Sequence, residues 1–206
     1  MIKKFGQDSC LLMIDVQDGV DDLNYWGGEN GRRNNPGAEA NIKTLLTAWR
    51  EKGLPVFYTA HDSREAHSPL KLTEAGVAFM QGLEPRDDEP VFIKNVNSGF
   101  IGTKLESALR DSGVRRLVAL GFFTNMCVAT TVRMAGNMGF DTYLVGDACA
   151  STNRIGPDGT DYDAELIHDT SVANLNGEFC TALITGDFLE LLECNSERLE
   201  RVQGNE

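Results

Sequence analysis

No stretch of this 206-residue chain approaches the ~20 consecutive apolar residues of a membrane-crossing helix, which excludes such a span. Its first residues, Met1-Ile-Lys-Lys-Phe-Gly6, lack the apolar core and small-residue cleavage site of a secretory signal, so a cytoplasmic protein is predicted. Cysteine is sparse and irregular. The five thiols (Cys10, Cys127, Cys149, Cys180 and Cys194) are odd in number and lack CxxC spacing, which argues for reduced thiols and against a disulfide frame or zinc knuckle. Positive charge is also short, with 19 Lys and Arg against 31 Asp and Glu. The resulting net charge of -12 argues against nucleic acid or an anionic membrane as a partner. Repeats and linkers are absent, and the length suits one domain over 1–206 with a sizeable core.

What is present alternates between two hydrophobic periods. Residues 10–17 form an apolar run ending at Asp15, read as a central parallel strand that delivers this carboxylate to its C-terminal edge. Further strands are predicted over 54–61, 90–94, 116–121, 141–148 and 178–185. Helices are predicted over 38–52, 103–112 (with Thr103 as N-cap), the segment after Cys127 up to Gly139, 162–175 and 186–201. The region 62–83 is a polar excursion with a short helix around 73–80, and 151–161 is a loop turned by Gly156-Pro157-Asp158-Gly159. Strands alternating with helices imply a three-layer α/β/α sandwich around a six-stranded, mostly parallel sheet.

Three of these strands end in chemistry-bearing groups: Asp15, Lys94 and Cys127. In an open α/β sheet, ligands bind outside the carboxyl ends of the strands, so all three groups are expected to face one crevice. Cys127 sits where a strand ends and a helix begins, a position whose free N–H groups and dipole lower a thiol pKa and can hold an oxyanion. The Lys94 charge is expected to lower it further, making Cys127 the most reactive of the five thiols. Pocket walls are sought in Gln17, Tyr25, Trp26, His61, Phe100 and Phe123, and in the 62–83 excursion. For Tyr25 and Trp26, in the Gly- and Asn-rich loop 18–36, three readings stay open: a lid, loop packing or a subunit contact.

Four strings, Ile14-Asp15-Val16-Gln17, Phe92-Ile93-Lys94 with 98–103, Gly121-Phe-Phe-Thr-Asn-Met-Cys127-Val128 and 139–148, make the chain resemble the isochorismatase-like cysteine hydrolase superfamily over nearly its whole length. The resemblance implies an Asp15, Lys94, Cys127 triad and a cis peptide at Phe122–Phe123 that aims the Phe123 N–H beside that of Cys127 as an oxyanion hole. It further implies a homo-oligomer, dimer or tetramer, and a small-molecule substrate. The activity it points to is hydrolysis of a C–N bond in a small amide, carbamoyl, ureide or lactam through a Cys thioester. Nicotinamidases of that superfamily hold zinc or iron with an Asp-x-His pair and a later His. Here Ser63 stands where the second of these ligands is expected, in His61-Asp62-Ser63-Arg64 with His67 beyond, so no metal and no cofactor is expected. Isochorismatases proper act on a vinyl ether and lack the cysteine, so Cys127 argues against that reaction. His168 is read as structural or surface. Two alternatives remain: a metal-assisted nicotinamidase-like amidase, and a catalytically silent homologue that binds or senses redox state through Cys127.

Overall fold

The apolar runs become strands of one parallel sheet because each is buried on both faces. The computed structural model describes residues 4–193. Its strands are β1 (Ser9–Ile14), β2 (Val56–His61), β3 (Val91–Lys94), β4 (Arg116–Phe122), β5 (Asp141–Ala150), β6 (Arg154–Ile155), β7 (Asp161–Tyr162) and β8 (Thr181–Leu183). The helices are α1 (Leu23–Gly27), α2 (Ala38–Glu51), α3 (Leu105–Asp111), α4 (Ala129–Asn137), α5 (Ala164–Leu175) and α6 (Thr185–Glu193). Six strands line up in the order β3-β2-β1-β4-β5-β8, and each neighbouring pair is parallel. The expected six-stranded sandwich is found, with its main sheet wholly rather than mostly parallel.

The order reverses at β1. From there the chain steps outward to β2 and β3, then returns across the sheet to β4, β5 and β8. Right-handed crossovers therefore place α2 on one face and α3, α4 and α5 on the other. α6 comes back onto α2, where the rings of Trp49 and Phe188 lie 5.5 Å apart and Phe5 packs on both. Ile42, Leu45, Leu46 and Trp49 form the buried stripe of α2 that its periodicity predicts. A reversal of strand order opens a crevice at the C-terminal ends of the two strands beside it, here β1 and β4.

Several element boundaries differ from expectation for local reasons. The 73–80 helix is only one 3-10 turn, Ala75–Val77, where Gly76 lies so close to Pro69 that a Cβ would sit 2.4 Å from its carbonyl oxygen. The predicted 151–161 loop contains an antiparallel hairpin of β6 and β7, closed by the Gly156 to Gly159 turn with its 3.0 Å hydrogen bond. α5 starts at Ala164 because the Asp163 carboxylate accepts from the Glu165 N–H. The N-cap of α3 is Lys104 rather than Thr103, whose Oγ1 accepts from the Leu105 N–H at 3.2 Å from one residue further back. The sixth strand pairs only over Thr181–Leu183, because the Asn176-Gly177 turn still holds Cys180. The predicted extension of the last helix to residue 201, together with Cys194, lies outside the described residues. Among those described, no helix is long and apolar enough to cross a membrane.

Candidate active site

Four strand ends build the site. Asp15 follows β1 with a left-handed backbone (φ 52), a conformation uncommon for non-glycine residues. One of its oxygens accepts from Thr59 Oγ1 at 2.7 Å, and the other lies 2.6 Å from Lys94 Nζ. Lys94, the last residue of β3, reaches past the end of β2 to do this. Its ammonium also lies 2.9 Å from His61 Nδ1, 3.2 Å from Cys127 Sγ and 3.2 Å from the Val96 carbonyl. Both members of the ion pair are almost wholly buried. β4 can run this close to β1 because Gly121 (φ 122) has no side chain: a Cβ there would fall 2.0 Å from the Ile14 carbonyl oxygen. Beyond it the Phe122–Phe123 peptide is cis, and a single π-helical turn, Thr124–Val128, carries Cys127 into α4. His168 is buried on α5, not surface, and braces this turn through Thr124 Oγ1 at 2.9 Å.

The electrostatics favour a neutral thiol beside an ion pair. Burial opposes the Lys94 charge, but the Asp15 carboxylate and the neighbouring Cys127 outweigh it and hold the lysine above its usual range. Burial and the Lys94 charge push His61 down, so its ring is neutral, with Nδ1 accepting from the ammonium. Cys127 departs from the sequence expectation. Burial, reinforced by Asp15, raises its thiol by more than Lys94 lowers it. Cys149 and Cys180 are pushed up to about 12, chiefly by burial. What separates Cys127 from them is its partners, not a resting thiolate.

A cavity of about 160 Å³ opens onto the sulfur. Among the expected wall residues, Tyr25, Trp26, His61 and Phe123 line it. The indole of Trp26 packs edge-on against Tyr25 and Phe123 at 4.8 and 5.2 Å and donates to the Gly19 carbonyl. Gln17 and Phe100 do not line it. The Gln17 amide donates to the carbonyls of His61 and Val77 and accepts from the His61 N–H, tying β1 to β2. Phe100 is buried and stacks on Phe140. The sequence reading missed Asn97, 3.9 Å from Sγ; the 62–83 excursion does supply wall residues as expected, namely Ser63, Glu65, Ser68 and Leu70, which the sequence did not single out. Nothing in their local sequence marks them, since only the tertiary fold brings that segment over the pocket. A larger groove of about 490 Å³ near Asp147 and His168 offers no thiol or hydroxyl among the described residues lining it.

The residues do not fit the Asp-x-His metal set that the resemblance implies for nicotinamidases. Asp62 is engaged with Lys71, Asn95 and the Leu72 N–H, Ser63 accepts from the Glu65 N–H, and His67 is exposed. Donor atoms of Asp15, His61 and Cys127 do gather within 4.8 Å of one another. All three touch or face the Lys94 ammonium, so a fixed side-chain cation already stands among them.

The isochorismatase domain model matches residues 9–186. An isochorismatase family protein of Bacillus subtilis, YrdC, is 42% identical over 183 residues, covering 89% of this chain and 95% of the relative. More distant are nicotinamidase 3 of Arabidopsis thaliana, 28% identical across 66% of this chain and 69% of its own, and the ureidoacrylate amidohydrolase RutB of Agrobacterium fabrum, 29% identical across 74% and 75%. A crystal structure of an isochorismatase-family hydrolase from Chromobacterium violaceum superimposes with a TM-score of 0.84 at 42% identity, covering 91% of this chain and 95% of that one. Sheet order, domain match and these relatives agree: the chain belongs to the isochorismatase family of hydrolases.

Proposed function

We propose that the protein is a metal-independent cysteine hydrolase that cleaves the C–N bond of a small amide, carbamoyl, ureide or lactam. One observation carries this reading: a single buried ammonium, Lys94, touches both a carboxylate and a thiol at the end of the central strands. An amidohydrolase and a nicotinamidase among the relatives support the bond class.

The chemistry follows from the resting charges. Because the thiol is neutral, its proton passes to Asp15 as sulfur attacks the carbonyl carbon, and Lys94 compensates the negative charge on both groups. The carbonyl oxygen becomes an oxyanion held by the backbone N–H groups of Phe123 and Cys127, each such donor being worth ~3 kcal/mol. Among the described residues no backbone acceptor takes the Phe123 N–H. Asp15 then gives its proton to the leaving nitrogen as the C–N bond breaks, leaving a Cys127 thioester. A water deprotonated by Asp15 attacks that thioester, releasing the acid and restoring the thiol.

Screening amides, ureides and lactams for ammonia or amine release tests the reading. Turnover by the native protein that disappears in Cys127→Ser and Asp15→Asn, with metal chelation having no effect, is expected. Loss of activity on chelation would favour the metal-assisted amidase instead.

A further inference from the structure

We propose, on the basis of the hydrolase reading above, that the Cys127 pocket selects a substrate without a carboxylate or phosphate group, an uncharged or cationic carboxamide, and that Glu65 sets this preference. Among the described residues lining the cavity there is no lysine or arginine. The cation behind them, Lys94, has three protons for four neighbours: Asp15, His61, Cys127 and the Val96 carbonyl. It has none left for a substrate anion. His61 is held neutral by burial and by that same ammonium.

Two carboxylates, in contrast, stand in the wall: Asp15 at the floor and Glu65. Glu65 is exposed to solvent and is oriented by accepting from the Tyr25 hydroxyl at 2.9 Å, while its N–H donates to Ser63 Oγ at 3.1 Å. A substrate carboxylate would shed water, meet no counter-charge and face these anions. An uncharged carboxamide meets the rings of Trp26 and Phe123 instead, and an ammonium group could pair with Glu65. The cavity is also smaller than the ~300–1,000 Å³ of ordinary ligand clefts, which restricts the acyl part to a few atoms or one small ring.

Iodoacetamide and iodoacetate differ in charge but hardly in size, so they probe the pocket without requiring turnover. Each alkylation rate at Cys127, mapped by mass spectrometry, is divided by the rate with a small free thiol. The normalised ratio should favour iodoacetamide by about tenfold, the scale on which like charges a few ångströms apart alter a rate. It should shrink at least about threefold in Glu65→Gln and invert in Glu65→Arg. A ratio near one, a preference for iodoacetate, or a ratio unchanged in Glu65→Gln overturns the proposal. A matched series of arylcarboxamides bearing hydrogen, carboxylate or aminomethyl gives a second measurement, and fastest ammonia release from the carboxylate member overturns the proposal as well. Charge-selective alkylation with no amide hydrolysed would instead sink the hydrolase reading and leave the pocket preference standing.

Discussion

Replacing Lys94 by Met keeps most of the side-chain volume and deletes the cation that Asp15, His61 and Cys127 share. Both members of the Lys94–Asp15 pair are 1% exposed, so water cannot take over the lost role. Removing one partner of a buried ion pair costs ~3–5 kcal/mol, because the other charge is left uncompensated. With a urea m-value of ~2 kcal/mol/M, the unfolding midpoint should fall by roughly 1.5–2.5 M. Fluorescence of the buried Trp49 can follow the transition. The double variant Lys94→Met, Asp15→Asn should recover part of the loss, since it leaves no orphaned charge. The pH dependence has a definite sign. Lys94 has its folded pKa raised, so its contribution is complete below the ordinary lysine value of ~10.4 and is lost as pH rises through the folded value. The gap between native protein and Lys94→Met should therefore be flat near neutrality and narrow above about pH 10.4. A midpoint within ~0.5 M of the native one, or a gap that widens in alkali, would refute the central role given to this ammonium.

Three other outcomes are expected. His61, held down by burial and Lys94, should titrate by NMR below ~6.5, and its contribution to stability should be present above that value and lost as pH falls through the folded pKa; a midpoint at or above 6.5 contradicts this. Gly121→Ala should cost ~3 kcal/mol or more, because its Cβ would collide with the Ile14 carbonyl at a φ of 122, and a native-like thermal midpoint would mean that β1 and β4 do not converge as described. We also propose a homo-oligomer, as the free β3 edge with exposed Val91 and Ile93 would allow; sedimentation at micromolar concentration should show a species heavier than 22.6 kDa, and a monomer alone would overturn it.

The strands that place the three reacting groups were legible because burial on both faces leaves a plain mark, an apolar run that ends where a polar group is needed. Ser9–Ile14 and Arg116–Phe122 are such runs, whereas the strand order that reverses between them is known only from the structure. β6 and β7, two residues each, are too short to show a period. Gln17 and Phe100 were misplaced because proximity to a motif does not determine where a side chain turns: one is bonded to the backbone of His61 and Val77, the other stacks on Phe140. Glu65 was legible only as part of the 62–83 excursion and not as an individual residue, because that segment has no hydrophobic period to orient its side chains. The thiol's protonation state was misjudged because charge neighbours can be read from strand ends, whereas the extent of burial around them cannot.

The most direct test of the central claim is to quench the protein during turnover of an amide identified by the ammonia screen and weigh the peptide that contains Cys127. That peptide should gain the mass of the acyl group less one hydrogen, and the adduct should be absent in Cys127→Ser and in Asp15→Asn. Ammonia release that continues in Cys127→Ser, with no acyl adduct on the native protein, would contradict the thioester mechanism.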